Sequence, residues 1–559
     1  MAKKSKYNAT RLTIYFIASL MLPIFILTYT EQNPPWVSLA GILLPLGVYT
    51  LFASLSRYSG RVVWLGIVFI YFSAFQVVLS YLFGNSVIAA DMFLNLETTN
   101  SAEAGELLAN IYPAIIFVIL VYVPLLWVAA IHISKEIILK KSTRRRCTII
   151  GGAALTIGVI MLIFGGRGDA KRVLRDEVFP INVGYNLYLA MSEYYKTNNY
   201  ITTSEGFLYH AQHYQTSAAR EIYVLVIGEA SRAANWQLYG YNRATNPLLS
   251  QRKDITIFRQ ITTQSNTTHK SVPMILSSVH TSQHDELYKR TGLIALFNEA
   301  GFTTYFISTQ QPQAAMIDHL ANDANVVIYT QAPYHDGQLV ETIQNALADS
   351  RSSKILFVLH SYGSHYSYHQ RYPREYAYFL PDDDVAISRE NIEMIRNAYD
   401  NSIRYTDYVL NEIISLLETQ PNTCSAMLYC ADHGEDLFDT KEERFLHSSP
   451  TATYYQLHIA SIAWFSLLYR ELFAEKVEAA CANENAPVTT YSVFHTMADV
   501  ASIDSPYINF RASLVSEEFD FATKRYYLND HNRAVCLDEN IGIDDEQRKL
   551  FRDAGIEIK

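Results

Sequence analysis

The chain is poor in cysteine and in charged residues for its length. Five cysteines in 559 residues are too few for a small fold held together by disulfides. Charged residues make up only 18% of the sequence and hydrophobic residues 49%, a balance typical of a chain that lies partly in lipid. The formal net charge of -10 is mild and gives no basic face, which argues against a nucleic-acid partner.

Long hydrophobic runs, by contrast, are abundant near the N-terminus. Each approaches the roughly 20 residues that a membrane-spanning helix needs, and buried core helices are rarely so long or so poor in charge. The five runs are 11–30, 37–56, 62–84, 112–133 and 147–165. The first run has no small-residue cleavage site after it, so we expect it to stay as an anchor.

Lysine and arginine are concentrated in alternate loops of this region. They precede the first run and separate the second from the third and the fourth from the fifth, whereas the other two loops have none. Positive loops stay in the cytoplasm, so the N-terminus is predicted to be cytoplasmic and the residues after about 168 to lie outside the cytoplasm. The basic GGRGDAKR segment after the fifth run opposes this weakly.

The pattern changes twice beyond residue 168, which divides the chain into three predicted regions. Residues 1–168 form the membrane domain, and residues 169–215 are amphipathic and tyrosine-rich (NVGYNLYLAMSEYYK), typical of helices at the membrane interface, with a plain linker as the alternative. In residues 216–559 short apolar runs alternate with helical segments. The runs are IYVLVIG, ITIFRQI, TTYFIS, NVVIYT, KILFVLH, SAMLYCAD and HIASIAWFS, and they predict an α/β domain with a largely parallel sheet.

Acidic and histidine side chains follow several of these predicted strands. In a parallel α/β sheet, functional groups gather beyond the carboxyl ends of the strands. The residues at strand ends or in nearby loops are Glu229, His360, His365, Asp432, His433, His447 and His458. One acid after one strand is a weak signal because such residues often cap the next helix. A set of carboxylates and imidazoles at one edge is a stronger one, and these ligands suit zinc.

Four segments, in order, resemble the bacterial phosphoethanolamine transferases. They are VLVIGEASRAANWQLYGYNRATNP, SNTTHKSVPM, HSYGSHYSYHQRYP and ADHGEDL with the following FLH. That family belongs to the alkaline phosphatase/sulfatase superfamily and modifies lipid A or core sugars of lipopolysaccharide. The resemblance implies an α-helical membrane domain of five transmembrane helices and a periplasmic α/β domain of alkaline phosphatase/sulfatase-like fold.

The resemblance also implies the central chemistry. Thr268, three residues before Ser-Val-Pro, stands where the family has its nucleophile, so Thr268 rather than Thr267 is expected to attack. Together with Thr268, Glu229, Asp432 and His433 match the ligands of one tightly bound Zn²⁺. A threonine hydroxyl is a poor nucleophile by itself, and coordination to a metal activates it. A polar turn or a helix cap is the alternative for Thr268 taken alone.

Further residues match the family's substrate pocket. His365 and His447 correspond to histidines that line this pocket, either of which could protonate the leaving oxygen, and a second zinc there is left open. His458 matches a related histidine less closely. Lys270 is our own hypothesis for neutralising the phosphate, with a solvent-facing lysine as the alternative.

A second substrate-binding set is expected in the membrane half. Asn95, Thr99 and Glu103 are spaced by four residues and would share one face of a helix. In the family an asparagine, a threonine and a glutamate with this spacing contact the ethanolamine headgroup. The alternative is a solvated polar face.

The implied reaction transfers phosphoethanolamine from phosphatidylethanolamine to a lipopolysaccharide acceptor and releases diacylglycerol. The acceptor stays open among a lipid A phosphate, a Kdo or heptose of the core, a periplasmic glucan and a protein glycan, and so does polymyxin resistance as a consequence. The enzyme is expected to be a monomer in the bacterial inner membrane. Met274 replaces the cysteine that many members carry after Ser-Val-Pro, and pairing among Cys424, Cys430, Cys481 and Cys536 is left open.

Three rival functions differ from a phosphoethanolamine transferase in the motifs or the donor that they require. A sulfatase would need a Cys or Ser in a C/S-x-P-x-R context, which does not align with the nucleophile here. A phosphoglycerol transferase of the lipoteichoic-acid-synthase type shares the architecture and the threonine but uses phosphatidylglycerol and usually manganese. A membrane sensor with a degenerate domain fits poorly because the nucleophile and the ligand set are intact.

Overall fold

The protein forms two compact units. This computed structural model describes residues 8–30, 34–82, 88–98, 101–165, 170–214, 219–313, 315–441, 443–449, 452–539, 543 and 545–558, without the side chains of residues 30, 82, 95–98 and 101–110. The first unit comprises residues 1–96 and 101–192 with the short segment 441–444, and the second comprises 97–100, 193–440 and 445–559.

The first unit is built from helices that are mostly apolar. They are α1 (Ala9–Thr30), α2 (Pro35–Ala53), α3 (Ser59–Leu65), α4 (Ile67–Leu82), α5 (Ala90–Thr98), α6 (Ser101–Ser134), α7 (Lys141–Gly165), α8 (Ala170–Asp176) and α9 (Ile181–Asn198). Among the described residues, α1, α2, α6 and α7 are long and apolar enough to cross a membrane, and α3 with α4, bent by 59°, is a fifth candidate when the pair is counted as one span. The five predicted membrane runs are therefore confirmed as apolar helices.

Small residues let two of these helices approach closely. A Cβ atom on Gly47 of α2 would lie 2.7 Å from the backbone nitrogen of Leu155, and one on Gly151 of α7 would lie 3.0 Å from the carbonyl oxygen of Gly47. In lipid, where apolar burial gives helices no driving force to associate, such close backbone packing stabilises the pair.

The tyrosine-rich segment after residue 169 is helical. It contains α8, α9 and the short α10 (Tyr200–Thr203), and then a two-residue strand, Gln212–His213. Tyr188 and Tyr195 are exposed along α9. Their placement at a membrane interface stays a prediction.

A seven-stranded sheet is the core of the second unit. Its strands are β1 (Arg220–Gly228), β2 (Ile255–Ile257), β3 (Thr303–Ser308), β4 (Val326–Tyr329), β5 (Lys354–His360), β6 (Thr423–Ala431) and β7 (Ser461–Phe465). Their order is β2-β7-β6-β1-β5-β3-β4, and β7 is antiparallel to both of its neighbours while the rest are parallel. All seven predicted strands and the largely parallel sheet are confirmed.

Helices and small strand pairs surround this sheet. The helices are α11 (Thr268–Ile275), α12 (Leu293–Glu299), α13 (Met316–Ala321), α14 (Gly337–Asp349), α15 (Ile392–Glu418), α16 (Tyr454–Leu457), α17 (Leu467–Leu472), α18 (Ala474–Ala482), α19 (Tyr491–Val500) and α20 (Asp545–Asp553). The strand pairs are Gln212–His213 with Ile503–Asp504, Ile261–Thr262 with Val488–Thr489, Asp436–Leu437 with Phe445–Leu446, and Tyr526–Leu528 with Ala534–Cys536. Strands β1 and β6, at the centre, are mostly apolar and almost entirely buried on both faces, as expected of parallel strands covered by helices.

Candidate active site

The two central strands bring an acid from each to one edge of the sheet. Gly228 at the end of β1 pairs with Ala431 at the end of β6, so the next residues, Glu229 and Asp432, emerge side by side. The backbone N–H of Asp432 donates to the Gly228 carbonyl at 2.8 Å, and the N–H of Ala230 donates to Asp432 Oδ1 at 3.1 Å. Both carboxylates are buried, which fixes their positions but makes an uncompensated charge costly.

Thr268 is the first residue of α11, and its hydroxyl reaches these acids. Thr268 Oγ1 lies 3.2 Å from each carboxylate oxygen of Glu229 and 3.0 Å from His433 Nε2. The neighbouring Thr267 points elsewhere, with its hydroxyl 3.2 Å from Ser265 Oγ. Of the two adjacent threonines, the structure therefore places Thr268 beside the acids.

His433 completes a buried group with the two carboxylates. Its Nε2 is 3.3 Å from Glu229 Oε1 and 3.4 Å from Asp432 Oδ2, while its Nδ1 is 2.9 Å from the Gly434 carbonyl oxygen. A carbonyl can only accept, so Nδ1 carries a hydrogen and Nε2 faces the acids. The ligand atoms of Glu229, Asp432 and His433 all lie within 4.8 Å of one another, a spacing that can hold a metal ion.

The electrostatics of this group favour a bound cation. Burial would raise the pKa of Glu229, but the hydrogen bond and charge of His433 hold that pKa well below its usual range. Burial and the repulsion of Glu229 raise the pKa of Asp432 to about 7. Against burial, the charges of Asp432 and Glu229 raise the pKa of His433 to about 10. Two carboxylates, an imidazole and a hydroxyl in a buried cluster form a donor set that fits zinc.

His447 and His365 lie close enough to this group to interact with its charges. The rings of His447 and His433 have centroids 4.2 Å apart, and burial together with repulsion from His433 lowers the pKa of His447 well below its usual value. His365 Nδ1 is 2.6 Å from the carbonyl oxygen of Tyr366, and its charge contributes to lowering the pKa of Glu229.

Other predicted residues are not brought to the buried group in this way. His458 Nδ1 is 3.0 Å from the Tyr454 hydroxyl and its Nε2 is 2.8 Å from the Arg259 carbonyl oxygen, contacts that suit a structural histidine. Lys270 lies on α11 with its side chain buried, so the solvent-facing alternative is wrong.

The polar set predicted in the membrane half cannot be compared with the structure at the level of side chains. Asn95 lies in α5 and Glu103 in α6, but their side chains are outside the described residues, and Thr99 lies outside them altogether.

Two further polar side chains contact the acids without having been predicted. Gln310 Nε2 donates to Glu229 Oε2 at 3.2 Å and to the Ser361 carbonyl at 2.8 Å, and Ser271 Oγ donates to Asp432 Oδ2 at 3.1 Å. The sequence held a signal for each. Gln310 follows β3 at the same sheet edge, and Ser271 is three residues after Thr268, on the same helix face.

The loop after β5 approaches Glu229 so closely that it needs a glycine. Gly363 has φ of +53°, and a Cβ there would lie 2.7 Å from the Glu229 carbonyl oxygen and 2.8 Å from its nitrogen. The buried carboxylate of Asp336 anchors this loop by accepting the backbone N–H groups of Tyr362 and Gly363 at 2.7 and 2.8 Å. This anchoring fixes the backbone from which His365 extends.

The disulfides left open by the sequence are absent. All five cysteines lie in described parts of the chain, and each is a free thiol. Cys424 and Cys430 lie on the same strand, β6, six residues and therefore about 20 Å apart, far beyond the span of a disulfide.

Family models agree with this fold. The model described as Sulfatase matches residues 221–503, about half of the chain, and the chain belongs to that family. A second model, described as Phosphoethanolamine transferase EptA/EptB, matches residues 44–195 in the membrane half. The predicted resemblance to phosphoethanolamine transferases of the alkaline phosphatase/sulfatase superfamily is thereby confirmed.

Similar curated proteins match over part of their length. The protein YhbX of Escherichia coli (strain K12) is 32% identical over 250 residues, which are 44% of this chain and 43% of YhbX. Phosphoethanolamine transferase EptA of Salmonella typhimurium is 27% identical over 302 residues, 52% of this chain and 54% of EptA. The chain thus spans about half the length of the curated relatives it matches.

Solved structures share the architecture. The integral membrane protein lipooligosaccharide phosphoethanolamine transferase A from Neisseria meningitidis aligns with a TM-score of 0.70 and 19% identity, over 90% of this chain and 97% of that one. The C-terminal periplasmic domain of EcEptC from Escherichia coli, solved in complex with Zn, aligns with a TM-score of 0.53 and 23% identity, over 61% and 98% of the two chains. At these identities the likeness is one of fold, and it confirms the predicted fold class.

Proposed function

We propose that this protein transfers phosphoethanolamine from phosphatidylethanolamine to a lipopolysaccharide acceptor, a lipid A phosphate or a core sugar. The observation that carries the proposal is the Thr268 hydroxyl, 3.2 Å from both oxygens of Glu229 and 3.0 Å from His433. A membrane half that matches the EptA/EptB model supports the choice of donor class.

Zinc is the cofactor that the donor set favours. Glu229, Asp432, His433 and the Thr268 oxygen would hold one ion, and a relative's periplasmic domain was solved with Zn. When bound, the ion lowers the pKa of the threonine hydroxyl and stabilises negative charge on the phosphoryl group. A second ion between His365 and His447 stays an open part of the proposal.

The reaction consists of two displacements at phosphorus. In the first, a bond forms between Thr268 Oγ1 and phosphorus, the bond from phosphorus to the glycerol oxygen breaks, and diacylglycerol leaves with a proton. His447 or His365 takes up the proton that the Thr268 hydroxyl loses as it attacks and delivers this proton to the leaving oxygen. In the second, an oxygen of the acceptor attacks the phospho-threonine, the bond to Thr268 breaks, and the threonine hydroxyl is restored by the acceptor's proton.

The membrane half is proposed to set the location of the enzyme and to bind the lipid headgroup. We propose that the enzyme is a monomer in the bacterial inner membrane. The distribution of positive charge between loops supports an N-terminus in the cytoplasm and a catalytic domain in the periplasm. Asn95, Thr99 and Glu103 are proposed to bind the ethanolamine headgroup, where a carboxylate would pair with the ammonium group. His458 and Lys270 remain substrate-pocket candidates of lower rank.

Intact-protein mass spectrometry tests the nucleophile and the donor together. Purified protein is incubated with phosphatidylethanolamine and zinc, and we expect an adduct of about 123 Da, from the composition of the added group in a covalent intermediate. Thr268→Ala should form none. Thr267→Ala is the matched control, because its hydroxyl contacts Ser265 rather than the acids, and it should form the adduct.

The same assay separates the rival donor. An adduct of phosphoglycerol from phosphatidylglycerol, with none from phosphatidylethanolamine, would replace our proposal by a phosphoglycerol transferase. An adduct on Thr268→Ala equal to that on the wild type would show that another residue is the nucleophile.

A further inference from the structure

His447 is held by a chain of hydrogen bonds that the proposed reaction does not explain by itself. Its Nδ1 is 3.0 Å from Glu435 Oε1, and the second oxygen of that carboxylate accepts from the Tyr368 hydroxyl at 2.8 Å. Glu435 is fully buried and Tyr368 is 2% exposed. A buried carboxylate with each oxygen committed to a different donor is a fixed acceptor rather than a mobile surface charge.

The local fold sets this chain of contacts. The short strands Asp436–Leu437 and Phe445–Leu446 pair antiparallel, with Leu446 opposite Asp436. The residues that flank this pair, Glu435 and His447, therefore lie opposite each other. Their contact follows from the register of the hairpin.

Tyr368 ties a third segment to this hairpin. It begins a short 3₁₀ turn after the loop that carries His365, and its ring packs edge-on against Tyr399 at 5.1 Å and against Phe445 at 6.4 Å between centroids. The tyrosine therefore has a packed ring and a directed hydroxyl, and its partner Glu435 links the loop of one candidate histidine to the strand of the other.

The contacts decide which nitrogen of His447 remains for chemistry. A carboxylate oxygen accepts, so Nδ1 of His447 carries the hydrogen, and Nε2 is the nitrogen left for substrate. His433 shows the same arrangement, since its Nδ1 is 2.9 Å from the Gly434 carbonyl oxygen and its Nε2 faces the acids. Outer partners of this kind commonly fix the ring and tautomer of a histidine in an active site.

We propose that Glu435 is a positioning residue, anchored by Tyr368, that holds His447 in the tautomer with hydrogen on Nδ1 and so directs Nε2 to the reacting group. The inference rests on the proposed function, in which the free Nε2 of His447 takes up the proton released at Thr268 and delivers it to the leaving oxygen. Glu435 acts through His447 and does not touch the substrate.

Kinetics of the full-length protein in lipid vesicles test the coupling between the two residues. Glu435→Ala should lower kcat about 100-fold, the upper end of the range typical of outer partners, with KM little changed. Glu435→Gln, which keeps an acceptor, should lower kcat less than tenfold. Tyr368→Phe should lie between the wild type and Glu435→Ala. In a His447→Ala background, Glu435→Ala should cost nothing further, because residues that act as a unit are not additive.

A matched control separates this role from lost stability. The Tyr372 hydroxyl also donates to a buried carboxylate, Asp382, at 2.6 Å, but away from His447. Tyr372→Phe should therefore leave kcat unchanged. Full additivity of Glu435→Ala and His447→Ala would overturn the proposal, and so would loss of bound zinc in Glu435→Ala, which would make Glu435 a ligand.

Nitrogen-15 NMR of histidine-labelled protein gives a readout that needs no activity. The signal of His447, assigned by its loss in His447→Gln, should show a protonated Nδ1 in the wild type and in Glu435→Gln, and a mixture of tautomers in Glu435→Ala. A hydrogen on Nε2 in the wild type would overturn the proposal. Absence of any phosphoethanolamine adduct would refute the proposed function instead, and the tautomer would still decide the role of Glu435.

Discussion

Glu229 is oriented by a residue that no ligand motif contains. Gln310 is buried, and its amide joins Glu229 Oε2 to the Ser361 carbonyl at 3.2 and 2.8 Å. We expect Gln310→Ala to weaken zinc binding about tenfold, since outer-shell partners of ligands are worth 10- to 100-fold in metal affinity. Chelator competition on the purified protein measures this. Gln311→Ala is the control, because that side chain bonds to the Thr330 carbonyl instead, and equal affinities of the two variants would contradict the prediction.

Single residues show clearly what the sequence could and could not predict. The resemblance to the family's nucleophile motif selected Thr268 over Thr267, and the structure places the Thr268 hydroxyl beside the acids. The place of Gln310 after a strand was readable, but its contact with Glu229 depends on β5 lying between β1 and β3, an order that its neighbours do not encode. His458 illustrates a second limit: its place before a strand is readable, but the direction of its ring depends on Tyr454 and Arg259.

At the scale of elements, the close approach of the loop after β5 to Glu229 leads to a testable prediction. An added methyl at Gly363 meets both an unfavourable φ of +53° and the backbone of Glu229, whereas at Gly240, with φ of +94°, it meets open space. Gly240→Ala should cost only the strain of a left-handed residue, about 1–2 kcal/mol. Gly363→Ala should cost more and also release zinc. Thermal unfolding midpoints and bound zinc per protein measure the two effects, and equal behaviour of the variants would show that the close approach is unimportant.

The strands themselves were readable while their order was not. Each central strand contains a continuous apolar run of the length that a buried parallel strand requires, so β1, β5 and β6 are evident locally. The edge, however, is formed by β2 pairing with β7 about 200 residues further along the chain, a long-range contact that no local pattern encodes. The position of the site at the carboxyl ends of β1 and β6 followed from the general rule for such sheets.

For the whole molecule, the chain carries natural probes of its orientation. Cys481 is exposed in the catalytic unit, Cys147 is partly accessible at the start of α7, and the other three cysteines are buried. If the charge distribution sets the topology as proposed, a membrane-impermeant maleimide applied to spheroplasts should label Cys481 and not Cys147. Cys481→Ser should abolish the label and Cys147→Ser should leave it. Labelling of Cys147 alone would invert the proposed orientation.

Buried histidines make the stability of the whole protein depend on pH. Burial lowers the pKa of His458 to about 4 and that of His495 to about 3. Between pH 6.5 and these lowered pKa values, the unfolded chain binds protons at both histidines that the folded chain does not. The contribution of the two histidines to the free energy of unfolding is therefore complete above pH 6.5 and is lost as the pH falls. Each histidine should remove about 2 kcal/mol of the free energy of unfolding between pH 7 and pH 5.

The contribution of His495 to this loss can be isolated by substitution. His495 Nδ1 accepts the backbone N–H of Asn509 at 3.1 Å, and an asparagine side chain can offer an oxygen in its place without titrating. His495→Asn should therefore unfold at a lower temperature than the wild type at pH 7. On transfer to pH 5, its unfolding temperature should fall by fewer degrees than that of the wild type. His210→Asn, at an exposed position, should follow the wild type at both pH values. If His495→Asn and the wild type fall by the same amount, the acid sensitivity has its origin in other groups, and His458→Asn is the next variant to compare.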